Sequence, residues 1–250
     1  MKGKSLLNPT LLLARGLAAA GWLVYSRRTR ERIPGQEGLE DPQVTHAFTK
    51  IAQMPQMRLL RWYAAQRALN LLNIGHAVDL GCGPGFLVLE MAQQAPDLQV
   101  TGIDLSEEML AQAKGYTHEF SVAERVDFKV GDAADIPFPD ASLDLVVSTL
   151  SLHHWDDPLV ILNEINRVLR PDGAYMIFDL RRDMSAPAYF LLWFVTNFVV
   201  PAALYHINEP LGSRNASYTP EEVTALADRS SLCDWRITQG PLWLTIEGVK

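Results

Sequence analysis

Cysteine is scarce in this chain: among 250 residues there are two, Cys82 and Cys233. They cannot build a disulfide framework, and no Cys-x-x-Cys pair or His/Cys cluster has the spacing of a zinc site. The expectation is a reducing compartment and no metal. No Gly-Lys-Ser/Thr follows a glycine turn, which excludes a P-loop. Internal repeats and low-complexity tracts are missing as well. Long hydrophobic runs are nearly so. The one candidate near the start, Pro9 to Tyr25, is 17 residues long and contains Arg15. That is the short edge of a bilayer span, and an arginine at its centre costs about 2.5–3.5 kcal/mol.

Basic charge is also scarce beyond the first 34 residues. That head carries Lys2, Lys4, Arg15, Arg27, Arg28, Arg30 and Arg32 against the single acid Glu31. The rest of the chain holds 15 basic and 28 acidic side chains, a net charge of −13 within an overall −7. So acidic a body matches a phosphate backbone poorly, which argues against nucleic acid as a partner. Two readings of the head stand side by side. Its apolar stretch inserts in a membrane, with the arginines after it holding the body in the cytoplasm, or it packs on the body as an ordinary helix. A cleaved signal peptide fits less well, because no small-residue cleavage site precedes the arginines. The expectation is a cytoplasmic protein, attached to the membrane through residues 9–32 if the first reading holds.

"IPGQEGLEDP" reads as a linker, dividing a head and linker (1–40) from a body (41–250). Residues 44–72 are expected to be helical, with Met57, Leu60, Ala64, Ala68 and Leu71 on one buried face. Strands and helices then alternate. "HAVDL", "LQVTGIDL", "RVDFKV", "LDLVVSTLSL" and "AYMIFDL" read as strands. The helices between include "PGFLVLEMAQQA", "EEMLAQAKGYTHEF" after the cap Ser106, and a helix opened by Asp157-Pro158 and closed by "RPDG". Thr219-Pro220-Glu221-Glu222 is a capping box, and "DWRITQG" and "LWLTIEGV" read as closing strands. The pattern is that of an α/β, Rossmann-like doubly wound sheet, mostly parallel with an antiparallel final strand.

In such sheets ligands sit at the carboxyl ends of the strands. There, "VDLGCGPGFL" places Asp79 at the end of the first strand, followed by Gly81, Gly83 and Gly85. The spacing is G-x-G-x-G, whereas the dinucleotide fingerprint is G-x-G-x-x-G, and Pro84 removes an amide donor that a pyrophosphate would use. Asp79 would repel a phosphate and accept a bond from an amine. The turn favours a cationic, phosphate-free ligand.

This stretch resembles the first motif of class I S-adenosylmethionine-dependent methyltransferases. The resemblance continues in register for about a hundred residues, through "VTGIDLSEEMLAQAK", "GDAADIPFPDASLDLVVSTLSLHHW" and "EINRVLRPDGAYMIFDL". It is strongest to the small-molecule branch that includes the ubiquinone and menaquinone C-methyltransferases. It implies that S-adenosylmethionine is the cofactor, with Asp79, Gly81, Gly83 and Gly85 around its methionine part and Asp104 on the ribose hydroxyls. Leu105 and Met109 would lie against the adenine, Asp132 and Ala133 would bond its edge, and Ser148 would face the methionine end. Each has a plainer reading: turn glycines, the polar end of a strand, an aspartate in an ordinary turn.

Methyl transfer from a sulfonium requires mainly that the acceptor be positioned and water kept out. A base is needed only where the acceptor must lose a proton. His153 and His154, after the fourth strand, are the candidates, with loop or capping histidines as the alternative. The N-methyltransferase signature Asp/Asn-Pro-Pro-Tyr/Phe is replaced by "STLS", and two cysteines are too few for arsenic methylation. "SAPAYFLLWFVTNFVVPAALYHI" reads as two helices of an apolar lid (185–210), suited to a greasy acceptor such as a quinone or polyprenyl chain. The same patch would equally serve as core or dimer interface. The sequence points to neither a monomer nor an oligomer. Two other functions stand against methyl transfer to a small acceptor: a binding or scaffold protein on the same fold, and a dinucleotide-dependent oxidoreductase, which the glycine spacing disfavours.

Overall fold

A computed structural model describes residues 32–33 and 42–250. The apolar stretch 9–25 and most of the basic head lie outside the described residues, so the two readings of the head are not resolved by it. Helix α1 (Pro42–Ala52) and helix α2 (Pro55–Leu71) lead into strand β1 (Gly75–Leu80). Then follow α3 (Phe86–Gln94), β2 (Leu98–Asp104), α4 (Glu107–Phe120), β3 (Val126–Val130), β4 (Leu143–Thr149), a 3-10 turn (Leu152–His154), α5 (Pro158–Val168) and β5 (Leu169–Leu180). The chain closes with α6 (Ala186–Phe198), α7 (Ala202–His206), α8 (Leu211–Ala216), α9 (Pro220–Arg229), β6 (Arg236–Gln239) and β7 (Trp243–Val249).

The strands form one sheet in the order β3-β2-β1-β4-β5-β7-β6. β1 to β5 pair in parallel, and β7 runs antiparallel to both its neighbours. In the central strands β1, β4 and β5 runs of consecutive residues are buried, because both sheet faces are covered there. One face packs on Ala64, Ala65 and Ala68 of α2, on α3 and on α4. The other packs on Ile161, Leu162, Ile165 and Val168 of α5 and on Val223 of α9. Asp157 caps α5 by accepting bonds from the Leu159 and Val160 amides, and the capping box at Thr219 and Glu222 forms in full.

Two expectations are corrected in detail. The helix expected over 44–72 is broken at Gln53-Met54, because Pro55 has no amide to donate and disfavours helical backbone before it. "RPDG" does not simply end α5. Leu169 already pairs with Leu143, the register slips before Ala174, and Arg170–Asp172 bulge outward with Asp172 at φ 68°. The insertion 185–210 forms two helices, α6 and α7, as expected, and Leu204 of α7 is buried against Val44 and Ala47 of α1. Among the described residues no single helix is long and apolar enough to cross a membrane.

Candidate functional site

The sheet order reverses between β1 and β4, so the loops leaving their carboxyl ends diverge and open a crevice. Gly81, Gly83 and Gly85 follow β1 with φ of 68°, 52° and 74°, a backbone region that side chains disfavour. A Cβ on Gly85 would strike Phe128 and Ala113, and one on Gly81 would strike Ser151, whereas one on Gly83 would project into open space. Two glycines therefore fit the fold, and the middle one leaves room beside the backbone.

Two carboxylates stand behind this turn. Asp104 accepts a bond from the Gly83 amide at 2.7 Å and from the Ser106 amide at 2.9 Å. It thereby ties the turn to the start of α4, where the Ser106 hydroxyl accepts the Met109 amide. Burial raises its pKa, against the pull of those amides. Asp79 is different. It is 1% exposed, and neither of its carboxylate oxygens has a hydrogen-bond partner. Burial, reinforced by the charge of Asp104, pushes its pKa well above the ordinary carboxylate range. The Cys82 thiol, buried between them, is raised for the same reasons.

In front of the turn lies a cleft of about 170 Å³, with Met57, Arg61, Gly83, Pro84, Leu150 and Phe178 among its walls. Arg61 was not singled out by the sequence, where it is one of several arginines on α2. Its Nη1 donates to the Ala52 carbonyl and its guanidinium lies 5.0 Å from the Phe86 ring centre. Its buried Nε makes no hydrogen bond and sits 3.8 Å from Glu90. Burial, only partly offset by Glu90, lowers its pKa.

The other expected residues separate. Leu105 is exposed and Met109 buried, at the start of α4. Asp132 is exposed and its Oδ1 accepts the Ala134 amide at 2.8 Å, as a turn aspartate does, with Ala133 half-buried beside it. Ser148 is fully buried and donates to the Leu80 carbonyl at 2.9 Å. Its hydroxyl thus joins the ends of β1 and β4 and is absent from the cleft walls.

Neither histidine lines this cleft. His153 is 2% exposed, and its Nδ1 lies 2.8 and 2.9 Å from the two oxygens of Asp179 at the end of β5. The His153 backbone amide also donates to Asp179. Its Nε2 is buried and has no hydrogen-bond partner. Burial opposes protonation of His153, but Asp179 and the nearby Glu209 outweigh it and raise its pKa. His154, whose ring centre is 4.0 Å away, is driven the other way by burial and by His153, to a pKa of about 4. Arg32 closes the group from outside: it donates to the His153 and Ala216 carbonyls and stacks 4.5 Å from the Tyr218 ring centre. Asp179 and Glu209 were missed by the sequence reading, since one ends an apolar strand and the other lies in the insertion. Among the described residues no three His, Cys, Asp or Glu side chains gather as a metal site.

Comparison with known proteins places this geometry. Residues 78–177 match the model of a methyltransferase domain family. A 27-O-demethylrifamycin SV methyltransferase of Amycolatopsis mediterranei is 40% identical over 102 residues, 41% of this chain and 37% of that enzyme. A demethylmenaquinone methyltransferase of Porphyromonas gingivalis is 29% identical over 179 residues, 70% of this chain and 72% of its own length. In three dimensions the chain is similar to a putative S-adenosyl-L-methionine-dependent methyltransferase from Methanococcus maripaludis. The TM-score is 0.67 at 20% identity, covering 89% of this chain and 97% of that one. The fold, the glycine turn and the matched residues agree, and the chain carries a class I S-adenosylmethionine-dependent methyltransferase domain.

Proposed function

We propose that the chain transfers the methyl group of S-adenosylmethionine to a small lipophilic acceptor. The observation that carries this reading is Asp79: a fully buried carboxylate without a partner, one strand residue from a glycine turn whose middle member leaves open space. An isolated buried carboxylate is costly, and an ammonium group is the partner that removes the cost. When bound, S-adenosylmethionine supplies an electrophilic methyl group and its own leaving group.

The chain's residues then divide the work. Asp79 receives the amine, and the glycine turn allows the methionine part to lie on the backbone. Arg61, with its unused Nε on the cleft wall, offers a cation for the carboxylate. Asp104, held by two amides, still has lone pairs for ribose hydroxyls. Leu105 and Met109 at the start of α4 provide an apolar wall for the adenine, and Asp132 with Ala133 its polar edge. Ser148 acts by holding β4 to β1. Where the acceptor must lose a proton, the candidate base is neutral His153, whose ring Asp179 orients through Nδ1 and whose protonated form Asp179 stabilises; the ring is buried outside the cleft walls and must be uncovered to act. His154, at a pKa of about 4, is neutral at pH 7 and a weak base.

A quinone-like or otherwise greasy acceptor suits the apolar cleft walls, and one similar enzyme is by name a demethylmenaquinone methyltransferase. Such an acceptor also accounts for a head of residues 1–40 that attaches a cytoplasmic body (41–250) to the membrane through residues 9–32. Calorimetry with S-adenosylhomocysteine tests the cofactor: binding is expected, with Asp104→Ala weakening it by roughly tenfold or more through loss of two charge-assisted bonds and the turn they hold. Absence of binding, or NADH quenching tryptophan fluorescence in its place, overturns the reading. Methyl-labelled cofactor incubated with a membrane lipid extract then identifies the product.

A further inference from the structure

Three of the residues that line the cleft have positive φ: Gly81 at 68°, Gly83 at 52° and Leu150 at 56°. Two are glycines, which adopt that backbone without steric cost; the third is a leucine, whose Cβ crowds the following carbonyl there. The other non-glycine residues with positive φ among the described residues are Ser121, Ala141, Asp172, Asn208 and Asp234. All five side chains are small or short and polar, and asparagine and aspartate tolerate this region best. Leu150 is the large apolar one in the set. Such a residue persists only where its surroundings over-determine it, and residues of this kind gather at functional sites.

The surroundings of Leu150 are well defined. It follows the last residue of β4, and its amide donates to the Phe178 carbonyl at 2.8 Å, one step beyond the Thr149–Phe178 pairing. The chain then turns, and Ser151 comes to lie against the glycine turn, where a Cβ on Gly81 would strike its Oγ. The same hydroxyl accepts the Trp155 indole N–H at 3.1 Å. Leu150 therefore stands at the corner between the glycine turn and the end of β5. Its side chain is half-buried, packs on the apolar cluster that contains Phe178, and forms part of the cleft wall. The backbone by itself asks for glycine at this corner: glycine would keep the amide bond and the turn into Ser151, and would relieve the strain. What leucine adds is a branched apolar group on the wall of the cleft.

We propose that Leu150 is a specificity-determining residue for the methyl acceptor, a stop that admits an uncharged flat ring and excludes acceptors bulky beside the reacting atom. The inference rests on the methyl-transfer reading of the cleft. Under that reading the glycine turn and Asp79 hold the methionine part of the cofactor and Arg61 takes its carboxylate. The walls left for the acceptor include Met57, Leu150 and Phe178. None of these three carries a charge or a hydrogen-bond donor, so an acceptor bearing a phosphate or carboxylate finds no second cation beside Arg61. The cleft measures about 170 Å³ and must take both the methionine part and the reacting end of the acceptor. Four side-chain carbons at residue 150 are a large share of that space.

The test uses the full chain with the variants Leu150→Gly and Leu150→Ala, methyl-labelled S-adenosylmethionine and a membrane lipid extract as the acceptor pool. At limiting extract, the main labelled product of the wild type is expected to form about tenfold or more slowly in both variants. Labelled products absent from the wild type, substituted beside the new methyl group, are expected to appear. S-adenosylhomocysteine affinity by calorimetry should stay within about twofold of the wild type. The urea midpoint of Leu150→Gly should lie above that of Leu150→Ala, since alanine keeps the strain and glycine releases it. Unchanged rates and products in both variants overturn the inference and leave methyl transfer standing. A fall in S-adenosylhomocysteine affinity as large as the fall in rate places Leu150 on the cofactor and overturns it too. So does loss of the cooperative urea transition in both variants, which makes the side chain core. A wild type that binds S-adenosylhomocysteine and labels nothing overturns the acceptor reading itself, and this inference with it.

Discussion

Helices α5 and α6 begin alike, each with a proline in its first turn, and end in opposite situations. α5 turns Ile161, Leu162, Ile165 and Val168 into the sheet and shows water its Asn163 and Val160; α6 turns Ala188 and Thr196 inward and shows Phe190, Leu191 and Phe194. α5 buries its apolar stripe within the described fold, and α6 leaves its large apolar side chains exposed. The ligand end of the sheet has the converse of α6, since Asp79 is a charge-bearing group placed inside without a partner. An exposed aromatic face and an orphaned buried carboxylate depart from the same rule in opposite senses.

The comparison breaks most visibly under core truncation. Leu162→Ala is expected to cost about 2–5 kcal/mol in urea denaturation, because it opens a cavity in the sheet face. Phe194→Ala should change stability by no more than about 0.5 kcal/mol, although a larger side chain is lost. Equal costs for the two would mean that α6 is core after all. A second test addresses Asp79, whose folded pKa is raised above the unfolded one. Protonated Asp79 stabilises the fold below the unfolded carboxylate pKa, and that stability is lost as pH rises through the raised folded value. Asp79→Asn should therefore make the ligand-free protein more stable at neutral pH and flatten its dependence on pH. S-adenosylhomocysteine binding by the wild type should release protons as Asp79 ionises against the amine, measurable by calorimetry in buffers of differing ionisation enthalpy, and the variant should lose this release. The smallest expected contrast is at the caps. Asp157→Ala removes two bonds to the α5 amides and should cost about 1 kcal/mol. Ser185 makes no such bond at the start of α6, so Ser185→Ala should cost no more than about 0.5 kcal/mol.

Much of the fold was legible because the signals are local. Alternating strands and helices, Asp157-Pro158, the capping box at Thr219 and the glycine turn each act over a few residues, and each appears where the sequence puts it. The break before Pro55 was missed, although the proline that causes it stands in the sequence, because the helical periodicity of 44–72 concealed it. Around the candidate site, the positions of Asp79 and Gly83 at the end of β1 and of Asp104 at the end of β2 were legible, because each follows from a local strand-to-turn signal. Arg61, Asp179 and Glu209 were illegible. These are brought to the cleft or to His153 from α2, β5 and the insertion, and nothing in the adjacent residues announces the meeting. His153 and His154 are adjacent and look equivalent on paper, yet the charge of Asp179 raises one pKa and burial lowers the other to about 4.

The sequence by itself determined the order of elements, the parallel sheet and the glycine turn after β1, because propensity, capping and glycine conformation operate within a few residues of chain. It also determined that the region after β5 is apolar. Only the tertiary structure decided which way that region faces. An apolar side chain carries no record of its partner, and whether it is buried depends on the surfaces that the rest of the fold leaves free. Here the sheet faces are already covered by α2 to α5 and α9, and the aromatics of α6 are left to the outside.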